Sequence, residues 1–186
     1  MALRIVTFCG SLRVGSYNKK LQRISDAMLN KMGVEVTSIN WEDYDVPMYN
    51  GDIEAAGFPE SVRQLKKIVE SSDAVLFVSP EYNFSIPALT KNVIDWLSRG
   101  MNSWGGKVGI IAGASPGGFG TVRMQEHLRQ VLHSVGMYVM PLPQFMVSAA
   151  AEAFDEKEQF TDVKKSQDLM QFLQASLDFA QKLAKK

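Results

Sequence analysis

The chain has 186 residues, 46% of them apolar and 22% charged, with twenty basic residues balancing twenty acidic ones. That composition fits a globular chain with a sizeable core and is expected to form one domain, residues 1–186. Neutrality removes any electrostatic reason to expect nucleic acid or an anionic membrane as partner, and no apolar run approaches the length of a membrane span.

Leu3–Phe8 reads as the first strand. Cys9 follows it and is the only cysteine, which excludes an internal disulfide and fits a reducing compartment. A buried, inert thiol is expected there. No basic leader with a cleavage site precedes this strand, so the cytoplasm is expected. Leu21, Ile24, Met28, Leu29 and Met32 keep helical spacing, and Gly33 stops that helix. Val34–Ile39 is the second strand. Trp41 to Pro59 reads as a long acidic, aromatic loop. Its Trp41, Tyr44, Met48, Tyr49 and Phe58 suit either an interface or packing onto the chain's own sheet.

Val62, Leu65, Ile68 and Val69 mark a second helix. Ala74–Ser79 is an apolar strand of the kind found in the middle of a parallel sheet. Pro87 can start a third helix through Leu89, Val93, Ile94 and Leu97. Lys107–Gly113 is the fourth strand, and Val122, Leu128, Val131, Leu132 and Val135 mark the fourth helix. Met137–Val147 holds a fifth strand that Pro141 and Pro143 bend or end. Thr161 or Asp162 caps a last helix through Leu169, Phe172, Leu173, Leu177 and Leu183. Its lysine-rich end, Lys182–Lys186, suits a helix C-terminus. Strands alternating with helices predict a doubly wound α/β fold: five parallel strands in the order 2-1-3-4-5, with helices on both faces. Ligands then sit at the C-terminal ends of strands one, three and four.

Those ends carry the chemically loaded loops. Gly10–Asn18 joins a strand to a helix, where unpaired N–H groups and the helix dipole favour an anion. Ser11, Ser16 and Asn18 add donors, and Arg13 can fork onto an oxyanion. The loop is neither G-x-x-x-x-G-K-[ST] nor G-x-G-x-x-G, so it suits a terminal monoester phosphate. An ordinary Ser-capped helix is the alternative. Pro80-Glu81-Tyr82-Asn83 follows strand three; Pro80 and Tyr82 can line the edge of a flat ligand. Ala114–Gly120 follows strand four, where Gly117, Gly118 and Gly120 let backbone lie against such a ligand. A monophosphate joined to a large planar ring is best met by flavin mononucleotide, FMN.

Other residues carry weaker expectations. His127 and His133 have the wrong spacing for one helix face, and with a single cysteine a metal site is not expected. Both histidines read as surface or interface residues. Glu81 is expected to orient a turn or meet a neighbouring subunit rather than to act in catalysis. Arg99, Arg123 and Arg129 could meet a dinucleotide phosphate, although salt-bridged surface positions suit them better.

The stretches GSLRVGSYN (10–18), SPEYNFSIPALTKNVIDWLSRG (79–100) and GASPGGFGTVRMQEHLRQVL (113–132) resemble the NADPH-dependent FMN reductase family. The family has a flavodoxin-like fold, and the likeness is to its soluble quinone, chromate and azo-dye reductase branch. The resemblance implies phosphate binding by Ser11, Arg13, Ser16 and Asn18. It implies ring contacts from Pro80, Glu81, Tyr82 and Asn83, and from Ser115, Gly117 and Gly118. It also implies hydride transfer from NAD(P)H through FMN to a small-molecule acceptor: a quinone, chromate, an azo dye or free flavin. A homodimer or homotetramer with the flavin near a subunit interface is implied as well. A flavodoxin-type carrier that does not oxidise NAD(P)H is the alternative, which the neutral charge and Arg13 disfavour.

Overall fold

The computed structural model describes residues 2–184, so Lys185 and Lys186 of the lysine-rich end lie outside the described residues. The strands β1 (Arg4–Cys9), β2 (Glu35–Ser38), β3 (Ala74–Val78), β4 (Val108–Ala114), β5 (Tyr138–Val139) and β6 (Phe145–Val147) form a parallel sheet in the order β2-β1-β3-β4-β5, with β6 paired to β4 beyond β5. The helices are α1 (Tyr17–Lys31), α2 (Gly51–Ala56), α3 (Glu60–Glu70), α4 (Ala88–Ser98), α5 (Val122–Ser134), α6 (Ala150–Ala153) and α7 (Val163–Ala184). Asp162 caps α7, accepting the Lys164 N–H at 2.8 Å.

Side chains alternate between the two sheet faces because the strand period is two. Ala74, Leu76 and Val78 of β3 join the core beneath α1 and α7, together with Leu21, Ile24, Leu169 and Phe172. Val75 and Phe77 join the opposite core beneath α3, α4 and α5, with Leu65, Trp96, Trp104 and Leu128. With both faces covered, β3 and β4 are buried throughout, as their unbroken apolar runs predict.

The expected fifth strand is two strands. Val108 pairs with Tyr138 and Gly109 with Val139; pairing resumes at Ala112 with Phe145. Pro141 and Pro143 stand between and have no N–H to give the ladder, so the pairing is interrupted there.

The expected loop over 41–59 contains a short 3₁₀ turn, Trp41–Asp43, and α2. Asn40 and Asn50 cap them, accepting the N–H groups of Glu42 and Asp52. Trp41, Tyr44, Tyr49 and Phe58 pack against the core of the chain itself. The segment is tied to α4: Trp96 Nε1 and Asn92 Nδ2 both donate to the Pro47 carbonyl, at 2.8 and 2.9 Å. Met48 alone among those large side chains remains strongly exposed, at 68%.

Lys66 closes the far end of α4. Its ammonium meets the carbonyls of Leu97, Arg99 and Met101 and the Ser103 hydroxyl, at 3.2, 3.1, 2.6 and 2.9 Å. A cation suits a helix C-terminus, where carbonyls lack helical partners. Burial pushes its pKa down, while Glu70 and Glu54 pull it back up.

Candidate mononucleotide site

The three loaded loops meet at the C-terminal edge of the sheet and are held there by backbone. Gly10 N–H donates to Val78 C=O at 2.9 Å, Ser79 N–H to Ala112 C=O at 3.0 Å, and Ser115 N–H to Val147 C=O at 2.9 Å. Gly10 is required by space, since a Cβ there would overlap Ser79 Oγ and Thr90 Oγ1. At Gly113 a Cβ would overlap Thr121 Oγ1 and the Ser79 carbonyl. These two glycines let the strand ends approach closely enough to form one crevice.

In the first loop, Ser16 is the N-cap of α1, with extended backbone and Oγ accepting the Asn18 N–H at 3.2 Å. Ser11 Oγ accepts the Arg13 N–H at 3.4 Å. Both serines are nearly buried. Arg13 is exposed and, among the described residues, makes no ion pair. Asn18 has a different task from direct donation: its Nδ2 donates to Ala114 C=O and its Oδ1 accepts Ala114 N–H, both at 2.8 Å. That amide straps the start of α1 to the end of β4.

Cys9 lies beneath the loop, almost wholly buried. Burial pushes its thiol up to about 11, and the contact with the Ser11 carbonyl only partly offsets this. It is therefore neutral and unreactive at physiological pH, as the sequence led us to expect.

In the second loop, Pro80 is buried and Tyr82 is 46% exposed. Tyr82 and Ser85 exchange backbone hydrogen bonds at 3.0 Å across Asn83 and Phe84, whose φ values are 50° and 63°. Two positive φ values at the centre of a tight hairpin match a type I′ turn. Glu81 faces α5: its Oε2 accepts the N–H groups of Arg123 and Met124, each at 3.0 Å. The carboxylate thereby caps α5, where Thr121 gives no side-chain cap.

The third loop is an open shelf. Ser115 Oγ accepts the Gly117 N–H at 3.2 Å, and a Cβ at Gly118 would meet nothing within 4 Å. Gly117 lacks a positive φ, whereas Gly120 has one of 61°. A Cβ at Gly117 would meet Ser115 Oγ at 3.6 Å, an ordinary contact, and would not fall in the left-handed region. Phe119 is 71% exposed at the shelf's rim.

His127 is exposed, with Nδ1 2.9 Å from Ser85 Oγ. His133 is also exposed. Among the described residues no cluster of His, Cys, Asp and Glu could hold a metal, and no helix is long and apolar enough to cross a membrane. Sequence reasoning passed over Phe84 and Phe119. Their only signal was being large aromatics inside candidate loops, and their common contact with Arg123 depends on the fold.

Fold and site together define a flavodoxin-like protein whose donor set fits a phosphomonoester bearing a flat ring. The chain belongs to the NADPH-dependent FMN reductase family, whose sequence profile matches residues 3–152. It is 39% identical over 175 residues to an NAD(P)H-dependent FMN reductase of Pseudomonas aeruginosa, covering 93% of this chain and 92% of that one. It is 35% identical to a quinone reductase of Pseudomonas putida, covering 94% and 90%. The structure of FerB, a flavoenzyme NAD(P)H:(acceptor) oxidoreductase from Paracoccus denitrificans, superimposes with a TM-score of 0.88. It is 37% identical, covering 97% of this chain and 98% of that one.

Proposed function

We propose that this FMN-dependent NAD(P)H oxidoreductase reduces quinones and related small acceptors, and that the loop Ser11–Ser16 with the start of α1 seats the flavin phosphate. The observation that carries the site assignment is Arg13, an exposed guanidinium without an ion pair among the described residues, beside the start of α1. Each hydrogen bond to a charged phosphate contributes about 1.5–3 kcal/mol, and the helix dipole about 0.3–1. Nanomolar affinity needs about −12 kcal/mol, so the phosphate loop alone falls short after entropy costs. Ring burial against Pro80–Asn83 and Ser115–Gly118 supplies the rest.

FMN held by these loops would supply the redox chemistry between NAD(P)H and the acceptor. The chain's own residues bind and orient. Asn18 fixes the phosphate loop against β4, while Gly117 and Gly118 keep the shelf clear for the ring. Neither Glu81, engaged with α5, nor Cys9, neutral, is placed to act as an acid or base. A flavodoxin-type carrier finds no support among the relatives, which are named as reductases. Chromate, azo dyes and free flavin are further candidate acceptors, and the cytoplasm is the compartment that suits a single reduced thiol.

Arg13→Ala tests the phosphate seat. It should weaken FMN binding by about 10- to 100-fold, the size of one charge-assisted hydrogen bond, with the circular dichroism spectrum unchanged. An unaltered FMN affinity by fluorescence titration would overturn the assignment. We also infer that a second copy of the chain completes the ring half of the crevice, giving a homodimer or homotetramer. The support is the exposed apolar rim: Leu12, Val14, Tyr82, Phe84 and Phe119.

A further inference from the structure

The segment that follows β6 touches both halves of the crevice from behind. Ala149 N–H donates to Gly117 C=O at 3.3 Å and Ala150 N–H to Ser115 C=O at 3.1 Å, so the start of α6 hangs from the shelf. Beyond α6 the chain turns back on itself. Phe154 and Phe160 form an antiparallel bridge, closed by Asp155 N–H donating to Gln159 C=O at 2.8 Å. That hairpin lies against the first two turns of α1. The Phe154 ring stacks on Tyr17, with centroids 6.2 Å apart and planes 9° from parallel, and on Phe160 at 5.1 Å. The Lys20 ammonium stands 6.0 Å from the centre of the Phe154 ring, and Arg23 pairs with Glu158.

Tyr17 sits between the N-cap Ser16 and Asn18, so its ring anchors the phosphate-binding end of α1 directly. Two residues of the segment hold left-handed backbone without being glycine: Ala149 at φ 47° and Glu158 at φ 61°. Such backbone persists where its surroundings over-determine it. The shelf carbonyls hold Ala149. The bond from Glu158 N–H to Asp155 C=O, at 3.0 Å, holds Glu158, with Arg23 as its ionic partner. Between these two points Ala150, Ala153 and Phe154 are buried in the core beneath α1 and α7. Close packing of that kind makes the segment a stiff connection rather than a loose tether. The hairpin lies beyond the residues that the family profile matches.

We propose that residues 149–160 are a brace that sets the distance between the phosphate seat and the ring shelf, with Tyr17 and Phe154 as positioning residues that make the site choose a phosphorylated flavin over phosphate-free riboflavin. The proposal rests on the reading above that these loops hold FMN. A ligand that engages two half-sites at once gains from the second only where their spacing fits, and loses that gain where it does not. A shift of about 0.5 Å is enough to spoil a set of directed contacts. Riboflavin needs the shelf alone, so its binding is blind to where the start of α1 stands.

The test is titration of the full chain with FMN and with riboflavin. Tyr17→Leu and Phe154→Leu keep apolar bulk and remove the stacked pair. Each should lower the ratio of FMN to riboflavin affinity about fivefold, the size of one aromatic pair, with riboflavin affinity itself within about twofold of wild type. Tyr17→Phe keeps the ring and should restore the ratio. Val69→Ala, in the core on the opposite sheet face, should lower the melting temperature and leave the ratio unchanged. An unchanged ratio in Tyr17→Leu overturns the proposal, as does an equal loss of both flavins or an equal fall in Val69→Ala. Tyr17 is only partly buried, so its variant carries the test if Phe154→Leu does not fold. If the wild-type protein binds neither flavin, the FMN reading fails separately, and amide hydrogen exchange decides the brace. Tyr17→Leu should then speed exchange over residues 20–24 while Val69→Ala does not, and equal exchange in Tyr17→Leu and wild type overturns the brace.

Discussion

Asn18 uses both ends of its amide on the backbone of Ala114, and the pair is buried. Asn18→Ala would orphan a carbonyl and an N–H at the end of β4, at a cost of about 1–3 kcal/mol for each group. The urea midpoint should fall, and FMN affinity should fall with it, because the start of α1 loses its strap. An unchanged midpoint would show that the strap carries no stability. The residue was legible in the sequence as a member of the site, but its role was not. A short polar side chain after a glycine-bearing loop looks like a phosphate donor, and its real partner lies 96 residues away. Glu81 was read more closely: a lone acid in an apolar-flanked loop suits the orienting of a turn, and it orients α5. Arg13 is exposed and has no ion pair among the described residues, and its proposed phosphate contact rests on its residue type and its place in the loop.

Among the elements, α3 and α4 share an apolar core, and one polar side chain ties them at their ends. Lys66 reaches from the last two turns of α3 to several carbonyls where α4 ends. Lys66→Met keeps the stem and removes the ammonium. It should destabilise the fold by about 1.5–3 kcal/mol, the range for hydrogen bonds to a charged group. Thermal unfolding would measure this, and a melting temperature within a degree of wild type would refute it. The long helices were legible because apolar residues recur at helical spacing over several turns. A helix as short as α2 completes too few turns to show a period, so the segment around it read as loop. Asn40, which caps the 3₁₀ turn, and Asn50, which caps α2, were visible as residue types but not as caps. The fifth strand failed in the reverse way: the prolines marked a break correctly, while the return of pairing at Phe145 depends on β4 lying alongside.

At the scale of the whole molecule, sheet order and crevice position were legible because alternating strands and helices leave few ways to wind a parallel sheet. What lies across the crevice was not, because the subunit proposed to complete it would leave only exposed apolar residues as its trace. Sedimentation velocity at micromolar concentration should find a dimer or tetramer, and Met48→Glu, at an exposed position outside the crevice loops, should shift the population toward monomer if the interface extends over residues 41–59. A wild-type protein that is monomeric with full flavin content would refute the completing subunit. The same segment has an optical consequence. Trp96 and Trp104 are fully buried in the core, whereas Trp41 is only partly buried, stacked on Phe8 at 5.6 Å and bonded through Nε1 to the Cys9 carbonyl at 2.6 Å. Two indoles thus emit from the dry interior and a third from the edge of the phosphate loop. Intrinsic fluorescence therefore carries two separable colours, a blue component that follows unfolding and a red one that follows events at the mouth of the crevice.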